Sequence, residues 1–264
     1  MTAAETNRAN YFHLVRSILY RDLILLVRYP VDTAGSLVSL VSIFLLIFFG
    51  GQSIAPTRLS DSIEGLMIGY FLWSMSMAAY SGISKTITRE AQWGTLERHY
   101  LSPFGFGQII MLKAWSGVVI SFLWGAFILL PMMLITGRWL DINVFTVATI
   151  LVLTLASVVG VGLVFGGLSV LYKKIGNVTD LFQFAIVGLI AAPVIGFNWM
   201  QFLPIVQGSA MLQRSMQNGT HLWEFELTPL LILVVTAVVY SILGYIVFQI
   251  IHHRARRLGV LGDY

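Results

Sequence analysis

Residues 89–104, REAQWGTLERHYLSPF, set Arg89, Glu90, Glu97 and Arg98 around an apolar centre of Trp93 and Leu96. Side chains of these types are suited to gripping another protein. The arginines and glutamates can form charge-assisted pairs, Trp93 and Leu96 can anchor in an apolar groove, and Gly94 lets the backbone come close. The plainer alternative is a solvated loop whose Trp93 rests among lipid headgroups.

Little else in the chain offers chemistry. There is no cysteine, so neither a disulfide nor a thiolate metal site can form, and the five histidines, His13, His99, His221, His252 and His253, are scattered or lie at flanks. No metal site is expected. His252-His253 beside RARR reads as part of a basic interfacial tail rather than a catalytic cluster. The pattern G-x-x-x-x-G-K-[ST] does not occur in the sequence, so ATP hydrolysis by this chain is not expected. No acidic residue or histidine falls near the middle of an apolar run, where a proton or sodium relay would need one. Glu64, Lys113 and Asp180 fall near the ends of such runs, placed to snorkel or to meet headgroups.

What must position the 89–104 segment is a membrane domain. Of the 264 residues, 57% are hydrophobic and only 11% charged, against roughly 25% charged in soluble domains. Runs without ionisable residues predict six spans, over about 34–54, 64–84, 112–136, 143–171, 179–198 and 228–251, in an all-α integral membrane fold that treats residues 1–264 as one domain. The fourth run is long enough to tilt or to project beyond the bilayer. Thirteen of the lysines and arginines fall on the side of both termini, and only Arg58, Arg138 and Arg214 fall on the other. Positively charged short loops stay inside, so both termini are expected in the cytoplasm of a multi-pass cell-membrane protein. The start, MTAAETNRAN, lacks the apolar core and small-residue site of a cleaved signal peptide.

Between and around the spans, further segments stand out. Residues 8–29 carry Phe12, Val15, Leu19, Leu23 and Leu26 at helical spacing among Arg16, Arg21, Asp22 and Arg28, which predicts an amphipathic interfacial helix ended by Pro30. It serves either as a docking surface or as a simple anchor, and the pattern does not choose. In the 85–107 segment, Thr95 is a possible N-cap for a short helix running to Leu101, broken by Pro103, Gly105 and Gly107. The 199–226 segment, on the outer side, is half apolar and divided by Pro204 and Gly208; its IVQGSAMLQRSM stretch predicts a short helix, either re-entrant or lying in the interface. Asn218-Gly219-Thr220 fits a glycosylation sequon there. Phe44, Phe48, Tyr70, Trp73 and Phe182 are candidates to line a pathway, with ordinary packing as the common alternative. Gly162 and Gly166 of the fourth run have the spacing that lets helices approach closely, read as a seam within the subunit in preference to a dimer contact.

The stretch Arg89, Glu90, Gly94, Thr95, Leu96, Glu97, Ser102, Pro103 resembles the cytoplasmic signature of type-2 ABC transporter permeases. LYRDLILLVRYP (19–30) resembles that family's N-terminal interfacial helix, and FLPIVQGSAMLQ (202–213) the short segments before its last span. The resemblance implies the permease subunit of an ATP-driven exporter, a homodimer bound to two copies of a separate ATP-binding subunit that carries ATP and Mg. This chain would hold no cofactor of its own and would bind no nucleic acid. Residues 89–101, with Arg89, Glu90, Trp93, Gly94, Thr95, Leu96, Glu97 and Arg98, would be the coupling helix; Arg21, Asp22 and Arg28 would act in the interfacial helix, and Pro204 and Gly208 would help close the outer end. The implied cargo is amphiphilic, a drug, lipid or lipid-linked saccharide. A polysaccharide-dedicated exporter is the nearest variant, and an ion-coupled secondary transporter or a membrane-embedded enzyme would need ionisable clusters the sequence does not offer.

Overall fold

The computed structural model describes residues 11–54, 62–92, 102–172, 175–194 and 199–257, and the described residues are helical and without strands. Among the described residues, eight α-helices follow one another: α1 Tyr11–Arg28, α2 Pro30–Ile54, α3 Ile63–Gln92, α4 Phe106–Thr136, α5 Val144–Tyr172, α6 Gly176–Ile190, α7 Val206–Asn218 and α8 Leu227–Arg257. Five of them, α2, α3, α4, α5 and α8, are long and apolar enough to cross a membrane.

α5 is the spine, because its small residues let neighbours come close on two sides. A Cβ added at Gly160 would lie 2.0 Å from the Tyr240 carbonyl oxygen, and one at Gly244 would lie 2.1 Å from that of Gly160, so α5 and α8 cross backbone against backbone. Gly162 and Gly166 face α3 instead, against Tyr80 and Ile83. The glycines of the fourth apolar run therefore form a seam within this chain. α2 is the opposite case: only Phe44 and Phe48 are fully buried along it, Leu37, Leu40 and Leu45 pack partly buried beside them, and Val31, Val38, Leu46, Phe49 and Ile54 lie exposed.

Two boundaries differ from the sequence expectation. α3 does not end near residue 84; it continues to Gln92 and carries Lys85, Arg89 and Glu90 on its last turns. α4 likewise begins at Phe106, so Lys113 lies about two turns inside a helix rather than at its mouth.

Within the expected span over 179–198 the described helix is α6, whose 15 residues extend about 22 Å, less than a roughly 30 Å hydrocarbon core. Pro193 cannot continue the helix and disfavours helical geometry at Ala192, so the chain leaves α6 at Ala191. After a 3-10 turn at Trp199–Phe202, Ile205 takes φ 75°, a strained value for a β-branched residue, and α7 starts beside the end of α6, where Ser209 Oγ donates to the Ile190 carbonyl at 2.9 Å. Together α6 and α7 accompany α3: the Tyr80 hydroxyl donates to Thr179 O, Ile190 lies against Gly69, and Gln217 against Gly65. α7 is tucked inward, with eight of its 13 residues buried and Gly208 pressed on Thr154, which sits about 15 Å into α5. Gly219, at φ 67°, caps it.

Candidate functional site

α1 and α2 are nearly continuous. Pro30 lacks an amide hydrogen and starts α2, but Tyr29 N donates to Leu25 O at 3.1 Å, Thr33 N to Tyr29 O at 3.0 Å, and Thr33 Oγ1 to Leu26 O at 2.9 Å. This stapled bend sends α1 back along the start of α4. The Tyr11 hydroxyl donates to Gln108 Oε1 at 2.9 Å, while about two-thirds of the way along α1 Ser116 Oγ donates to Asp22 Oδ2 at 2.7 Å. α1 is thus held alongside α4 at its start and beyond its middle, with most of its apolar side chains exposed.

Where α1 meets the ends of α3 and α4, four charges interlock. Glu90, on the last turns of α3, pairs with Lys113 of α4, and each side chain is only 7% exposed. Arg21 reaches the same Glu90 oxygen at 3.5 Å and holds Asp22 at 2.8 Å. Asp22 in turn accepts from Ser116. A lysine inside an apolar helix is costly unless a counter-charge and hydrogen bonds accompany it. Glu90 meets that requirement for Lys113, and Arg21 brings α1 into the same arrangement.

Beside this junction lies a cavity of about 660 Å³. Arg21, Asp22, Lys85, Arg89, Glu90 and Lys113 line one part of it; Ala78, Ala79, Ile120 and Trp124 line another.

Of the coupling residues expected from sequence, Arg89 and Glu90 are placed and Trp93, Gly94, Thr95, Leu96, Glu97 and Arg98 fall outside the described residues. Arg89 is exposed on the last turns of α3. Glu90 was expected to face a partner; its carboxylate instead engages Lys113 and Arg21 of the same chain. Arg21 and Asp22 join this junction, whereas Arg28 lies exposed on the last turn of α1. The sequence reading placed Lys113 among headgroup contacts and assigned Ser116 no role. The missed signal was an isolated cation inside an apolar helix, which calls for an acid from a neighbouring helix.

The pathway aromatics separate into two groups. Phe44, Phe48, Tyr70 and Trp73 form one cluster between α2 and α3, with Phe44 to Tyr70 at 5.5 Å and Tyr70 to Trp73 at 5.2 Å between ring centres, and the Tyr70 hydroxyl donating to Leu40 O. Phe182 packs elsewhere, 5.5 Å from Tyr80 and 5.1 Å from Phe165. Pro204 is buried at the approach to α7, and Gly208 is held against α5. His252 and His253, expected together in a basic interfacial tail, part company: His252 is buried and stacks on Phe106 at 4.8 Å, while His253 is exposed. Among the described residues, no group of three or more His, Cys, Asp or Glu is placed to hold a metal ion.

Compared with family models, curated proteins and solved structures, the chain finds no match.

Proposed function

We propose that this chain is the membrane subunit of an ATP-driven exporter of the type-2 ABC kind. It works as a homodimer in the cell membrane, with both termini in the cytoplasm and two separate ATP-binding subunits docked on residues 89–101. The observation that carries the reading is the junction of Arg21, Glu90 and Lys113 at the root of that segment. A force applied to residues 93–101 acts first on the end of α3, and Glu90 passes it to α1 through Arg21 and to α4 through Lys113. The same segment resembles the family's coupling signature, and the absence of a P-loop motif from the sequence assigns the ATPase to another chain. The cargo is taken as amphiphilic, the class that the family resemblance implies.

Affinity purification from native membranes tests this. Wild type is expected to retain a P-loop ATPase and to move cargo on ATP addition in reconstituted vesicles, and Glu97→Arg to lose both. Transport that persists without any ATPase, or a Glu97→Arg chain that assembles and transports normally, refutes the assignment.

A further inference from the structure

The connection between α7 and α8 is fastened to the start of α5. Leu222 N donates to Thr146 Oγ1 at 3.1 Å, Asn143 Nδ2 lies 2.7 Å from His221 Nδ1, and Asp141 N, just before, donates to the Met216 carbonyl of α7 at 3.0 Å. Gly162 and Gly166 of α5 run beside Tyr80 and Ile83 of α3, so this fastening lies at the end of α5 away from Glu90. It is separate from the charged junction.

Which proton sits between Asn143 and His221 follows from a neighbouring bond. Asn143 precedes α5, and its Oδ1 accepts from Thr146 N at 3.1 Å, capping the first turn of that helix. With its oxygen so engaged, the amide presents N–H to His221. Nδ1 must therefore accept, and the ring is the neutral tautomer with its proton on Nε2. A second proton would set N–H against N–H at 2.7 Å. Turning the Asn143 amide over would relieve this only by giving up the cap of α5, so one of the two bonds is lost either way.

The surrounding groups give the charged ring other partners. On its own turn, Glu224 Oε2 accepts from the His221 amide at 2.8 Å, and Glu226 follows just before α8. The connection between α4 and α5 brings Arg138 and Asp141, whose carboxylate lies 3.3 Å from where a Cβ on Gly219 would stand. α7 brings Arg214, whose carbonyl accepts from Thr220 Oγ1 at 3.2 Å. The imidazole makes no ion pair among the described residues, and Trp223, itself exposed, stacks on it with 4.6 Å between ring centres. Glu224 and the face of Trp223 both favour a positive ring that has left Asn143.

We propose that the contact between His221 and Asn143 is a pH-sensitive latch: the neutral imidazole holds the connection between α7 and α8 on the start of α5, and protonation releases it. The hold is complete where the imidazole is neutral and is lost as the pH falls through the interval, about pH 8 to 5, in which histidines gain their charge. The latch is a property of this chain by itself and stands apart from the transport reading.

The test uses the full chain purified in a neutral detergent at about pH 8 and pH 5. His221→Gln has no proton to gain and keeps an oxygen that can accept from Asn143 at either pH; Asn143→Asp keeps a capping oxygen for α5 but pairs more strongly with a charged ring than with a neutral one. From the higher to the lower pH, wild type is expected to lose about 3 °C more in melting temperature than His221→Gln, the size of one lost hydrogen bond in a chain of this length. Asn143→Asp should lose less than wild type, because its contact strengthens in acid. A nitroxide on Glu226→Cys, the one thiol in a chain without cysteine, reports on the connection itself. Its spectrum should sharpen on acidification when His221 is present and stay unchanged with His221→Gln. The same pH response in wild type, His221→Gln and Asn143→Asp overturns the latch, and so does a nitroxide whose motion ignores pH in the chain that retains His221.

Discussion

α5 and α8 meet through their backbones at Gly160 and Gly244, whereas the polar contacts of α1 with α3 and α4 run through side chains, Tyr11 to Gln108, Asp22 to Ser116 and Arg21 to Glu90. The two contacts differ in what they permit. Backbones in direct contact have no slack: the helices stay together or separate. Long side chains bearing charges can pivot, exchange partners and still hold, so a junction built from Arg21, Glu90 and Lys113 can move without coming apart. On the proposed function, the helices around α5 are expected to form the fixed part of the molecule, and α1 with the adjoining ends of α3 and α4 the part that responds to a force applied at residues 93–101.

The contrast can be broken most forcefully on the fixed side. Gly160→Leu drives a side chain into the Tyr240 carbonyl, which no rotamer change relieves, and is expected to destabilise the chain by about 3 kcal/mol, seen as lost monodisperse protein on size-exclusion chromatography in detergent. On the charged side, Glu90→Met leaves Lys113 buried without its main partner and should cost about 3 kcal/mol in thermal melting; the double variant Glu90→Met with Lys113→Met should recover most of that, because replacing both charges removes the desolvation penalty as well as the attraction. Ser116→Ala removes one hydrogen bond to Asp22 and is expected to cost about 1 kcal/mol by the same measurement. Arg28→Gln, at the exposed end of α1, should change stability by no more than about 0.5 kcal/mol. A Ser116 or Arg28 effect as large as that of Gly160 would erase the distinction between the two regions.

Much of this architecture is written in the sequence as uninterrupted apolar runs, and α2 and α5 follow them closely, while α4 and α8 contain them and extend beyond. The glycine seam was legible too, because Gly162 and Gly166 have a spacing with one steric meaning. Over 179–198 hydropathy does not register that Pro193 ends a helix, and the helix described there is the short α6, followed by the inward-tucked α7. The candidate site was legible only in part. Arg21, Asp22 and Glu90 stood out as charges beside apolar segments, but their joining depends on α1 running back along α4, a tertiary placement that no local pattern encodes. Lys113 looked like a headgroup residue because the start of α4 was set six residues late, and a shift of that size turns a buried ion pair into a surface charge.

The central claim is that the Arg21–Glu90–Lys113 junction transmits force and does more than hold helices together. The direct measurement is ATP-driven transport by the Glu90→Met, Lys113→Met double variant, reconstituted with its ATPase and compared with wild type at matched melting temperature. With the ionic link replaced by apolar contact, the variant is expected to fold and to bind the ATPase but to transport at roughly one-tenth of the wild-type rate, a loss of about 1.4 kcal/mol of coupling. Wild-type transport in a variant that has neither charge would contradict the account.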